Sequence, residues 1–121
     1  MKIIYLAAPY SHSDKKICKA RVKAVTQMAA NLIEKGYIVY SPITHSHPIS
    51  LFMKNSLDGD FWLEQNKPFF NVCDIMAILM LDGWVESYGI MRELKWALEL
   101  KKKIVHLDPR DCSLENMPCK E

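Results

Sequence analysis

Glycine is scarce in this chain, with four in 121 residues. None falls in "APYSHSD", the segment that follows the first apolar run. The glycine-rich phosphate loop of a flavodoxin-type redox protein is therefore missing there. Paired cysteines are missing too: Cys18, Cys73, Cys112 and Cys119 are scattered without a CxxC. That pattern fits reduced thiols in a cytoplasmic protein. No apolar run approaches the ~18 residues of a membrane span. "MKIIYLAAPY" carries one Lys, and Pro9 and the polar "SHSDKK" follow at once, so it reads as a first strand rather than a secretory signal. An excess of one charge is lacking as well. A net charge of +2 argues against a general nucleic-acid binder, which would carry a basic face. Lys101-Lys102-Lys103 is a short basic run that suits the negative end of a helix.

What is present alternates between two periods. Residues 2–8, 37–41, 74–81 and 103–107 are apolar runs of strand length. Between the first two, Ile17, Ala20, Ala24, Met28 and Leu32 recur at helical spacing, with Ser13 or Asp14 as cap and Gly36 as stop. A further helix is expected over 58–72, kinked or divided by Pro68, and another from about Ser87 to Lys101. Residues 42–57, with Pro42 and Pro48, read as a long loop. The tail from about 108 reads as loose. One domain over 1–121 is expected. It is an α/β, flavodoxin/Rossmann-like three-layer sandwich with a parallel sheet in the order 2-1-3-4.

In that order the chain reverses between strands 1 and 3, and ligands bind at the carboxyl ends of those strands. The stretches emerging there are "AAPYSHSD" and "LDGWVESYG". Ser87 can cap the helix that follows, whose free N–H groups and positive end suit an anion, and Gly89 allows close approach to the backbone. Glu93 lies one to two turns further on. Its side chain leans back toward the helix start, so the carboxylate points at the crevice, where the positive helix end helps keep it ionised. Such a carboxylate can clamp hydroxyls, act as a nucleophile, or stabilise an oxocarbenium-like sugar. Asp82 ends strand 3 and can take a ribose hydroxyl or shape the turn. Tyr10 and Trp84 can stack on a base. Arg21 can reach a phosphate or form a surface ion pair. His45 can face a base across the crevice. His45 and His47 are spaced as two zinc ligands can be, but lack an evident third.

The stretches "IIYLAAPYS", "CDIMAILMLDGW" and "ESYGIMREL" together resemble the nucleoside 2-deoxyribosyltransferase-like superfamily, over about residues 2–107. The resemblance implies N-glycosidic bond cleavage or transfer on a nucleoside or nucleotide. It places Glu93 on the catalytic glutamate and Tyr5 on the strand 1 tyrosine that orients it. Ser87 falls where nucleotide hydrolases hold a 5′-phosphate, and Gly89 lets the sugar lie against the helix start. Ala8, Pro9 and Tyr10 follow the strand 1 motif, with Ala8 in place of its usual glycine. Asn66 stands where the family carries an aspartate that protonates or contacts the base, so Asp60, Glu64 or Asp82 would have to supply a proton, if one is needed. The resemblance also implies no metal or organic cofactor, and a homo-oligomer, dimer or tetramer. The cluster Phe61, Trp62, Phe69 and Phe70 suits an interface between copies. The alternative from the same residues is a nucleotide-binding module without catalysis, which Asn66 favours.

Overall fold

Residues 2–110 are described by a computed structural model. Four short strands, β1 (Ile3–Ala7), β2 (Ile38–Tyr40), β3 (Ile75–Leu79) and β4 (Lys103–Leu107), form one parallel sheet in the order β2-β1-β3-β4. All five residues of β3 are buried, as expected of a parallel strand covered on both faces. Alternation along β1 then divides the core. Ile4, Leu6 and Ala8 face Val25, Met28 and Leu32 of helix α1 (Lys15–Glu34). Tyr5 and Ala7 face Leu63, Phe70, Ile90 and Trp96, from α3 (Gly59–Val72) and α4 (Tyr88–Glu99). The result is the three-layer, Rossmann-like sandwich that the strand–helix alternation predicts. At the start of β3 the Asp74 carboxylate accepts the Ile3 N–H at 2.8 Å, which ties the two central strands together.

Two expectations need correction. Residues 42–57 are not all loop, because Pro42–Ser50 form a helix, α2. Ser41 caps it by accepting the Thr44 N–H. Pro42 occupies the first turn, where its missing N–H costs nothing and its fixed φ is already helical. Pro48 has no N–H, so the Thr44 carbonyl loses its helical donor, and Pro48 itself is exposed. The same reasoning applies to Pro68, which lies within α3 without dividing it. Pro68 and Glu64, whose carbonyl it leaves without a helical donor, are both exposed to water. The tail expected to be loose lies, beyond residue 110, outside the described residues. Among the described residues no helix is long and apolar enough to cross a membrane.

Candidate active site

A cavity of about 910 Å³ opens at the carboxyl ends of β1 and β3, where the chain reversal predicts a ligand crevice. Ala7 and Ala8 form its floor at the end of β1. Ile43, Ser46 and His47 come from α2, Trp62, Leu63 and Asn66 from α3, and Ser87, Gly89 and Glu93 from the start of α4.

Glu93 is the only fully or nearly buried carboxylate among the described residues. Its Oε2 accepts the Tyr5 hydroxyl at 2.5 Å, a short contact typical of a charge-assisted bond. Tyr5 is completely buried and fixed edge-on against Phe70, with ring centroids 4.8 Å apart. A core aromatic thus holds the carboxylate in one place. Burial pushes the Glu93 carboxyl up to about 7, and the Tyr5 hydrogen bond pulls it partly back. The Tyr5 hydroxyl is itself pushed well above its ordinary value, first by burial and then by the neighbouring carboxylate. Desolvation thus opposes the help that the positive helix end is expected to give in keeping Glu93 ionised.

Ser87 caps α4 by accepting the Ile90 N–H at 3.3 Å and also lines the cavity. Beside it, a Cβ on Gly89 would meet only the Ser87 hydroxyl, at 3.9 Å, so the space over that turn is open. Arg21 lines the cavity but, among the described residues, forms no ion pair. It donates to the Ser11 carbonyl at 2.9 Å and to the Asp82 carbonyl at 2.8 Å. It therefore ties the loop after β1 to the turn after β3. Gly83, at φ 90°, makes room for it; a Cβ there would stand 2.6 Å from Arg21 Nη2.

Several expected residues lie off the cavity wall. Asp82 contributes its carbonyl to Arg21 while its side chain is exposed. Past the left-handed Gly83 turn, Trp84 goes to β4 and meets the His106 ring edge-on at 5.6 Å. Pro9 is fully buried and does not line the cavity. His45 is exposed and packs on Tyr40 and Phe69. A spacing of two on α2 separates it from His47 by about 200° around the helix, so the two rings do not converge on a shared metal. His47 is the histidine of α2 on the wall, with Nδ1 2.9 Å from the Tyr10 hydroxyl. Asp60 is engaged on the outer surface by Tyr88 and Arg92, and Glu64 is exposed. The aromatic cluster also separates. Phe70 belongs to the core, Trp62 lines the cavity, and Phe61 and Phe69 are half-exposed.

Glu86, Trp62 and His12 line the cavity without having been singled out as site residues. Glu86 stands one residue before the Ser87 cap, in a 3-10 turn (Trp84–Glu86) that sets its direction. Nothing in its local sequence marks it.

A protein-family model described as a domain of unknown function, DUF1937, matches residues 2–108, so the chain belongs to that family. No curated protein matches it.

Proposed function

We propose that this member of the family cleaves or transfers the N-glycosidic bond of a nucleoside or nucleotide, with Glu93 as the group that meets C1′ of the sugar. The observation that carries this is Glu93, held by the buried Tyr5 hydroxyl, on the wall of a cavity large enough for a nucleotide. In its ionised form Glu93 attacks C1′, the bond from C1′ to the base nitrogen breaks, and the electron pair leaves with the base. The departing base takes a proton from water or from His47, which lines the same cavity. Water, or a second base, then attacks C1′ and releases the carboxylate. Asp60, Glu64 and Asp82 have no part in this, since none lines the cavity. Ser87 and the open turn at Gly89 favour a 5′-monophosphate at the start of α4. The chemistry calls on no metal or organic cofactor. A cytoplasmic place and assembly with further copies belong to the same proposal; half-exposed Phe61 and Phe69 are available for contact between subunits.

The test is release of free base from a panel of nucleoside 5′-monophosphates and deoxynucleosides, followed by chromatography. Glu93→Gln keeps the shape but cannot act as a nucleophile, so turnover should fall by at least ~10³-fold with ligand binding retained. A wild type that binds nucleotides and releases no base points to the second reading, a nucleotide-binding module. Asn66 in the place of an acidic residue favours that reading.

A further inference from the structure

The charged side chains on the cavity wall are sorted by sign. From the α4 side come two carboxylates, Glu86 and Glu93, and no lysine or arginine. From α1 and the segment 51–57 come Lys15, Arg21 and Lys54, and no carboxylate. α1 and α4 pack on opposite faces of the sheet, so the two signs arrive from opposite sides. Among the described residues no carboxylate forms an ion pair with any of the three cations. Asp14, beside Lys15 in sequence, is committed to the α1 cap, accepting the Lys16 N–H at 2.9 Å. Lys15 also stands in the first turn of α1, where the positive helix end disfavours a cation and no acidic residue offsets it. One exposed lysine is satisfied by water. Several cations along one concave wall reinforce each other's field and concentrate anions there.

His12 adds a fixed donor to the same side. Its Nδ1 accepts the Asp14 N–H at 2.9 Å, which leaves Nε2 as the nitrogen that carries a proton and can donate. The phosphate assigned above to the start of α4 has Glu86 beside it, which repels further negative charge. The cavity, at about 910 Å³, is near the top of the ~300–1,000 Å³ range of small-ligand sites, so it has room for a longer ligand.

We propose that Lys15, Lys54 and the His12 ring form a second anion subsite, which takes the distal phosphate of a nucleoside diphosphate or triphosphate. The identity of the anion as a nucleotide phosphate rests on the function proposed above. The sorting of charge on the wall does not. On this basis the two lysines set how many phosphates the ligand carries and have no part in the bond cleavage.

The experiment measures binding by calorimetry for the wild type, Lys15→Gln, Lys54→Gln and Lys16→Gln. Each is tested against a panel of nucleoside 5′-monophosphates and the matching 5′-diphosphates. Lys16 shares the first turn of α1 but lies off the cavity wall, so its variant controls for net charge. The wild type is expected to bind the best diphosphate at least ~tenfold more tightly than its monophosphate. Lys15→Gln and Lys54→Gln should each weaken the diphosphate about fivefold and the monophosphate less than about twofold. Lys16→Gln should change neither. The proposal is overturned if the wild type binds both nucleotides equally, or binds neither. It is overturned too if Lys15→Gln and Lys54→Gln weaken both nucleotides alike, or if Lys16→Gln weakens the diphosphate as much as they do. A diphosphate preference that follows the two lysines, with no base released from any nucleotide, would leave this subsite standing and reject the cleavage chemistry instead. Base release from monophosphates without that preference would do the reverse.

Discussion

On the α4 side of the cavity, the functional groups are held before any ligand arrives. Glu93 is bonded to a tyrosine that cannot move without disturbing Phe70, and Ser87 is committed to its helix cap. On the α2–α3 side, the partly buried Ser46 and Asn66 each keep one buried atom, Oγ and Oδ1, without a partner among the described residues, and the neighbouring segment carries Leu51 and the almost fully exposed Phe52. The two walls differ in where their polar groups find partners. The first is satisfied internally and suits chemistry that needs a fixed geometry. The second holds two buried atoms that meet no hydrogen-bond partner among the described residues. The cost of the first wall is a carboxylate taken out of water, and the cost of the second is a pair of missing hydrogen bonds.

The largest expected effect tests the first of those costs. The Glu93 carboxyl binds its proton more tightly in the folded protein, at about 7, than in the unfolded chain, near the ordinary 4.5. Below pH 4.5 both states are protonated and the burial is tolerated. Between pH 4.5 and 7 the unfolded chain gives up the proton first, so stability falls as pH rises. Above 7 the loss is complete, at about 3 kcal/mol. Denaturant titrations of the wild type and Glu93→Gln across pH 4 to 8 should show that decline in the wild type alone. A wild type that gains stability over this range relative to Glu93→Gln would mean that the carboxylate is stabilised on folding, and the first wall would not be the strained one.

A middle-sized effect tests the joint between the two crevice loops. Gly83→Ala must adopt φ 90° and place a methyl 2.6 Å from the guanidinium that bridges Ser11 and Asp82. It should cost about 1–3 kcal/mol. Gly59→Ala, with nothing within 4 Å of the new methyl, should be neutral or slightly stabilising. Equal melting temperatures for the two variants would show that Arg21 does not hold the loops together.

The features that the sequence makes legible belong mostly to the first wall. Buried parallel strands are continuous apolar runs, which gives the sheet order, and helical periodicity then fixes where Ser87, Gly89 and Glu93 fall relative to one another. Tyr5 is legible for the same reason, as an odd-numbered position on β1 facing α3 and α4. The α2 part of the second wall is hidden because that helix begins with proline and contains another, and both read as breakers in a linear pattern. Without α2, nothing distinguishes His47 from His45 or draws attention to Ser46. The direction of Trp84 depends on a single left-handed residue before it, which composition does not reveal. Glu86 and Trp62 reach the cavity only through the tertiary arrangement. Glu93 itself was legible in position but not in charge state, since its full burial depends on the packing of α3 and α4 over β1.

The smallest expected effect compares the walls through their helix caps. Both α2 and α4 start with a serine whose hydroxyl accepts the N–H three residues on, Ser41 to Thr44 and Ser87 to Ile90, each at 3.3 Å. Replacing either by alanine removes that cap bond, worth about 1 kcal/mol in a urea titration; Ser41→Ala also removes the bond its hydroxyl donates to Thr44 Oγ1 at 2.8 Å and should cost more. The two should differ in ligand binding. Ser87 lines the cavity and Ser41 does not, so Ser87→Ala should weaken a nucleoside monophosphate more than the corresponding nucleoside, while Ser41→Ala should weaken both alike or neither. If both substitutions affect the two ligands equally, Ser87 is a cap alone, and the phosphate has no place at the start of α4.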